Sequence, residues 1–226
     1  MLRSLITSTS LTTMSSPSKS KLTLSTTLPL PNSKYQIPQL GFGVYQSPPE
    51  VCKTSCSTAL KSGYRHIDTA QYYANESQVG SSLSSSGLSR EDIYITSKIL
   101  SPGKDVDSSY EKIVESVEKV GGGYINLMLI HSPNCGKEGR ENMWRALEKA
   151  QTEGKVRDIG VSNYGEVHIE EMRGYARVWP PVVNQIEVRY ALLFAGLSRS
   201  ALLMIWRSYT PGANKKKSSS TARNTT

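Results

Sequence analysis

From Leu40 onward, short apolar runs alternate with amphipathic stretches. This alternation restricts the fold more than any other feature of the 226-residue chain. Leu40 to Val44 reads as a strand. Pro48 to Ser62 reads as a helix with Cys52, Cys56, Ala59 and Leu60 on one face and Gly63 as its stop. Arg65 to Asp68 is the second strand, and Asn75 to Ser86 is a helix ending near Gly87. "IYITSKI" (93–99) is the third strand. Ser108 to Val120 is a helix that turns Tyr110, Ile113, Val114, Val117 and Val120 inward. "YINLMLI" (124–130) is the fourth strand, followed by a helix from Arg140 to Glu153 with Met143, Trp144, Leu147 and Ala150 inward. "VRDIGV" (156–161), a helix from Gly165 to Tyr175 and "VVNQIEV" (182–188) complete the series. Strands separated by helices, at about 25 to 35 residues per unit, predict a parallel sheet with helices outside. Upstream, "LTLSTTLPLPNSKYQIPQLGFGVY" is β-prone and broken by proline and Asn-Ser, as a β-hairpin requires.

Two parallel folds compete. A doubly wound sheet announces itself with G-x-G-x-x-G after the first strand. Here "LGFGVY" lacks the third glycine, and "GGG" at 121–123 follows a helix instead of a strand. The better reading is a (β/α)₈ TIM-barrel type α/β fold, with its chemistry at the C-terminal ends of the strands. It is incomplete: about five βα units plus a sixth strand.

Charge narrows the partners. The formal net charge is +8, yet all 19 acidic residues lie between Glu50 and Glu187. Four basic residues precede that segment and seven follow it, so the body is mildly acidic and the basicity sits at the two ends. A nucleic-acid partner loses its main support. No apolar run reaches the roughly 20 residues that span a bilayer, so no membrane partner is expected. Cys52, Cys56 and Cys135 fit no metal-ligand spacing and read as reduced thiols of a cytoplasmic protein. Residues 1–21 form a Ser/Thr-rich, acid-free leader expected to be disordered, with a weak likeness to a mitochondrial presequence.

The informative residues are polar ones that end strands. Asp68 ends the second, Lys98 lies at the end of the third and His131 follows the fourth. Ser162 and Asn163 follow the fifth, and Gln185 lies on the sixth. Each alone has an ordinary structural role as a cap, a solvated strand end or a packed ring. In a barrel they converge on one mouth, with Tyr72 and Tyr73 just past Asp68, and a set of purely structural roles becomes a poor explanation.

"GYRHIDTAQYYANE", "YITSKI", "LMLIHSP", "GKVRDIGVSNYG" and "VVNQIEV" resemble, in order and spacing, the aldo-keto reductases, from about Leu40 to Glu187. By motif position, the resemblance implies that Asp68, Tyr73, Lys98 and His131 are the catalytic tetrad. Tyr73 is the match and Tyr72 its packing neighbour. It also implies that Ser162, Asn163 and Gln185 contact the nicotinamide carboxamide of NADPH/NADP+, and that Tyr45 is an aromatic pocket wall. Ser132 stands where a bulky aromatic is common, which widens the pocket. The implied activity is reduction of aldehydes or ketones to alcohols, with a small-molecule carbonyl as substrate. Chemistry agrees with these roles. Tyr73 would give a proton to the carbonyl oxygen, the Lys98 ammonium would favour its phenolate, Asp68 would hold Lys98, and His131 would orient and polarise the carbonyl.

After Glu187 the pattern stops. Residues 188–226 resemble nothing in that family and carry no acid, which fits a truncated or read-through form whose tail is largely disordered after about 210. The partial barrel is expected over 22–187. The sixth strand would be an unpaired edge, with "ALLFAGLSRSALLMIW" as a helix over it. A second functional reading follows: a non-catalytic barrel fragment or binding protein that holds cofactor weakly or not at all.

Overall fold

The computed structural model describes residues 22–188 and 203–207. The expected leader and the expected disorder after about residue 210 lie outside the described residues. Thr27–Pro29 (β1) and Gln36–Pro38 (β2) pair antiparallel as the hairpin. The repeating units follow: β3 (Phe42–Gly43), α1 (Pro49–Lys61), β4 (His66–Asp68), α2 (Glu76–Ser84), β5 (Tyr94–Ile99) and α3 (Val106–Val120). Then come β6 (Ile125–Ile130), α4 (Gly136–Thr152), β7 (Val156–Ser162), α5 (Glu166–Glu171) and β8 (Asn184–Val188). Strands β3 to β8 are parallel and adjacent in chain order, so they form the curled half of a (β/α)₈ barrel with its helices outside.

Local chemistry sets the helix limits. Pro49 starts α1, where its missing N–H costs nothing, and Gly63 (φ +99°) turns the chain just beyond its end. A capping box opens α3: Asp105 accepts from the Ser108 N–H at 2.8 Å, while the Ser108 hydroxyl faces the Asp105 N–H at 3.1 Å. The box starts the helix two residues earlier than apolar periodicity indicates.

Strand alternation divides the sheet into two faces. Ile67, Ile95, Ile99, Met128 and Ile130 pack outward with Cys52 and Cys56 of α1, Ile113 and Val117 of α3, and Trp144 and Leu147 of α4. Tyr94, Leu127 and Leu129 point the other way, joining Leu30 and Ile37 of the hairpin region and Val182 and Val183 in a second cluster. The hairpin therefore covers the inner face near the N-terminal strand ends, where the Ser33 hydroxyl donates to Asp158 Oδ2 at 2.8 Å. The opposite end, where β4, β5 and β6 finish, is left for polar residues.

The structure corrects several expectations. Tyr110 and Val114 of α3 are only half-buried, whereas Ser109 and Ser116 are buried. Hydrogen bonds explain this: Ser109 donates to Asn142 Oδ1, and Ser116 joins Gln71 and Glu76. The first strand is two residues long. The last helix is a six-residue α-helix continued by a 3₁₀ turn over Met172–Gly174. The sixth strand is not an open edge. Leu203–Arg207 forms β9, antiparallel to β8, where a covering helix was expected. A strand edge offers a row of unsatisfied N–H and C=O groups, and a short β-prone segment satisfies them as a helix cannot. Among the described residues, no helix is long and apolar enough to cross a membrane.

Close packing of α2 on α3 depends on one glycine. A Cβ on Gly80 would stand 2.3 Å from Lys119 O and 2.7 Å from Val120 O, both backbone atoms. Gly80→Ala is expected to destabilise the fold by about 1–3 kcal/mol, read as a lower urea midpoint.

Candidate active site

The site is built on the inner face of β4 and β5. Asp68 and Lys98 are each about 1% exposed and lie on adjacent parallel strands. Lys98 Nζ meets three acceptors with its three hydrogens. They are Asp68 Oδ1 at 2.6 Å, Thr69 O at 3.0 Å and the Tyr73 hydroxyl at 3.2 Å. Burial alone would push the Lys98 ammonium down, but Asp68 and then Tyr73 outweigh it and hold it above the ordinary lysine value. The other Asp68 oxygen accepts from Gln185 Nε2 at 2.7 Å, so this buried carboxylate is bonded on both sides.

Tyr73 reaches the ammonium from a 3₁₀ turn over Gln71–Tyr73, which ends with Ala74 in the left-handed region (φ +53°). Its ring lies 5.0 Å from that of Tyr45, in the loop after β3, and 5.7 Å from that of His131, after β6. Among the described residues neither nitrogen of the His131 ring has a hydrogen-bond partner, and Nδ1 is buried. Burial first, and the Lys98 ammonium second, push His131 down to about 4. The imidazole is therefore neutral at pH 7 and offers one donor and one acceptor.

The residues from β7 and β8 adjoin this group. The Ser162 hydroxyl donates to Gln185 O at 3.0 Å, and Asn163 Nδ2 bonds Ser162 Oγ and His131 O, each at 3.1 Å. Asn163 has φ +61° and is exposed, and its amide oxygen accepts no hydrogen bond from the described residues. The structure thus brings Asp68, Tyr73, Lys98, His131, Ser162, Asn163, Gln185 and Tyr45 into one neighbourhood. One expectation is corrected: Tyr72 is not packed away beside Tyr73. It is 59% exposed and sets its ring edge against His131 at 5.9 Å. Sequence reasoning missed Thr69, whose carbonyl takes a lysine hydrogen, and the hydrogen-bonding role of Asn75. Thr69 follows Asp68 directly, but a backbone carbonyl leaves no signature in the sequence. Among the described residues no group of three His, Cys, Asp or Glu side chains could hold a metal ion.

The curled parallel sheet that carries these residues has counterparts among known proteins. Residues 39–198 match the aldo/keto reductase family profile. The chain belongs to the aldo/keto reductase family. It is 37% identical to an aldo-keto reductase of Mycobacterium sp. (strain JLS), over 70% of this chain and 56% of that one. It is 39% identical to the glyoxal reductase of Bacillus subtilis (strain 168), over 67% and 54% respectively. The chain spans about half the length of the curated relatives it matches. Among solved aldo/keto reductases, the one from Brucella melitensis superposes with a TM-score of 0.69 at 40% identity, covering 73% of this chain and 63% of that one. The Bombyx mori enzyme, solved in complex with NADP, superposes with a TM-score of 0.66 at 29% identity, covering 74% and 59%.

Two predictions follow from the burial of these groups. Lys98→Met strips the buried Asp68 of its counter-charge and is expected to cost about 3–5 kcal/mol in chemical denaturation; Lys98→Met with Asp68→Leu recovers part of that loss. His66, fully buried and bonded to Thr96 Oγ1 at 2.9 Å, is also pushed down to about 4, chiefly by burial. Nuclear magnetic resonance should find His66 and His131 neutral at pH 6, with midpoints near 4. Between about pH 6.5 and 4 the unfolded chain takes up protons at these rings before the folded chain does. Both histidines therefore withdraw stability as the pH falls through that window.

Proposed function

We propose that this chain is a nicotinamide-dependent carbonyl reductase that converts aldehydes or ketones to alcohols with NADPH. One observation carries the reading: the buried Lys98 joins buried Asp68 to the half-buried Tyr73 hydroxyl in one hydrogen-bonded chain, with neutral His131 alongside. A bound nicotinamide would supply a hydride to the carbonyl carbon. As charge develops on the carbonyl oxygen, Tyr73 gives it the phenolic proton. The Lys98 ammonium, 3.2 Å from that phenol, stabilises the phenolate left behind, and Asp68 keeps the ammonium charged and in place. His131, with no described residue on its ring nitrogens, can donate to the carbonyl oxygen and fix its orientation. Tyr45 would wall the pocket.

The donors and acceptors at the mouth suit the nicotinamide end of the cofactor. Gln185 commits its amide N–H to Asp68, whereas the Asn163 amide oxygen is left to accept from a carboxamide N–H₂. The solved relative in complex with NADP adds weight to this choice of cofactor. A second reading, a barrel fragment without turnover that holds the cofactor weakly or not at all, draws on β9. It runs antiparallel beside β8, where a complete barrel of this type has a parallel seventh strand. The loops after strands 7 and 8, where such barrels usually bind phosphate, have no counterpart among the described residues.

Fluorescence titration with NADPH, followed by turnover of a small aldehyde such as glyoxal, separates the two readings. Saturable binding with turnover is expected. Tyr73→Phe should reduce turnover by about 100-fold or more while leaving the NADPH Kd within about twofold. Absence of saturable binding would sink the reductase reading and leave the fragment.

A further inference from the structure

Tyr73 ends a turn whose first residue, Gln71, ties it to α3 and to the end of β5: Gln71 Nε2 donates to Lys112 O and Ser116 Oγ, each at 2.9 Å, and Gln71 Oε1 accepts from the Leu100 N–H at 3.0 Å. The backbone of the turn is tied by Tyr73 N–H to Ala70 O at 3.0 Å and Ala74 N–H to Gln71 O at 3.1 Å. Those bonds hold the start of the turn; the phenol at its far end, 3.2 Å from Lys98 Nζ, needs a second anchor on the side of the Tyr45 loop. Asn75, fully buried, supplies one. Its Oδ1 accepts from the Thr69 hydroxyl at 2.8 Å, closing the base of the 69–75 loop. Its Nδ2 donates to Val44 O at 3.0 Å and to Ser47 O at 3.1 Å. Those carbonyls flank Tyr45, beside Gln46 in the left-handed region (φ +59°). One primary amide therefore joins the loop that carries the phenol to the loop that carries the facing Tyr45 ring.

We propose that Asn75 is a positioning residue, a clasp that sets the Tyr73 phenol against Lys98 and fixes the 5.0 Å gap between the Tyr73 and Tyr45 rings. The polarity of its surroundings demands an amide. One side must accept from a hydroxyl and the other must donate to two carbonyls. An aspartate has the right shape but keeps only the first of these bonds and sets a carboxylate against two carbonyl oxygens. Displacing a reacting group by about 1 Å costs up to about 100-fold in rate, so the clasp acts on the chemical step with little effect on cofactor affinity.

The proposal rests on the carbonyl-reductase reading of Tyr73, and the experiment separates the two. Asn75→Asp and Thr69→Val are compared with the native chain for kcat, KM and NADPH Kd. Each is also labelled with ¹³Cζ-tyrosine, the Tyr73 resonance being assigned by its loss in Tyr73→Phe. Asn75→Asp is expected to lower kcat by about tenfold or more, leave the NADPH Kd within about twofold, and shift the Tyr73 resonance as the phenol leaves the ammonium. Thr69→Val, which removes a single bond of the clasp, should give a smaller change of the same kind, and it decides the matter if Asn75→Asp does not fold. Variants that melt at lower temperature yet keep both kcat and the Tyr73 resonance overturn the proposal. A native chain without turnover refutes the reductase reading but leaves the clasp to be judged by the Tyr73 resonance alone. An unshifted resonance in both folded variants then overturns it.

Discussion

The ion pair between Lys98 and Asp68 is the constraint on which the rest of the site depends. Both side chains are almost wholly removed from water, where an unpaired charge would cost several kcal/mol. Attraction at 2.6 Å repays that cost only if the remaining hydrogen-bonding capacity is also met. Here it is met by Thr69 O, the Tyr73 hydroxyl and Gln185 Nε2. The same requirement fixes the sheet. Asp68 and Lys98 share the inner face because each stands an even number of residues from its inward neighbours, His66, Tyr94 and Thr96. A one-residue slip of β4 or β5 would drive a charge into the apolar layer beneath the helices. Register and electrostatics therefore specify each other.

Around this pair the chain separates its tasks by height along the strands. Near their N-terminal ends the inner face is sealed by the hairpin with Leu30 and Ile37, and by Ser33 on Asp158. In the middle, Leu127 and Leu129 fill the interior. At the C-terminal ends the polar set gathers, and the loops beyond it hold Tyr45, Tyr72 and Leu100, which are exposed. Helices on the outer face pack on the apolar layer of the sheet. Glu76 at the start of α2 is an exception of position: it accepts from Ser97, the residue before Lys98, and so braces β5 from behind. Burial pushes the Glu76 carboxyl up, and the Ser97 and Ser116 hydroxyls oppose that shift.

What the sequence made legible follows from how each feature is encoded. Strand order was readable because a parallel sheet wound by helices places neighbours in chain order, and β3 to β8 obey that rule. Asp68 and Lys98 stood out because a charge inside an apolar run demands a reason. The buried face of α1 was readable from Cys52, Cys56, Ala59 and Leu60, since only apolar side chains occupy it. The buried face of α3 was readable in part: Ile113, Val117 and Val120 are buried as expected, but Ser109 and Ser116 are buried too, by polar complements, Asn142 and Glu76, on other elements. Apolar periodicity cannot register such matches. The Asn75 bonds were equally silent, because two of their three partners are backbone carbonyls of a loop about 30 residues away. The β9 pairing was missed for a related reason: an apolar segment follows whichever unsatisfied edge the fold presents.

The Gln185 bond shows how far this dependence reaches along the chain. Asp68 and Lys98 are 30 residues apart and meet as soon as β4 and β5 pair. The second carboxylate oxygen finds its donor 117 residues away, on the sixth strand of the curl. Without β8, that oxygen would be buried with no partner or would draw in water, and either would weaken the hold on Lys98. The ammonium that faces the Tyr73 phenol is therefore only as well fixed as the contact between β7 and β8, where Ser162 pairs with Gln185 in register and through its hydroxyl. By flanking β8, β9 satisfies the outer edge of the strand that delivers this last donor. The path from sheet edge to phenol is then a run of satisfied polar groups, β9 to β8, Gln185 to Asp68, Lys98 to Tyr73. Loss of any one of these links leaves the group after it with one hydrogen bond fewer.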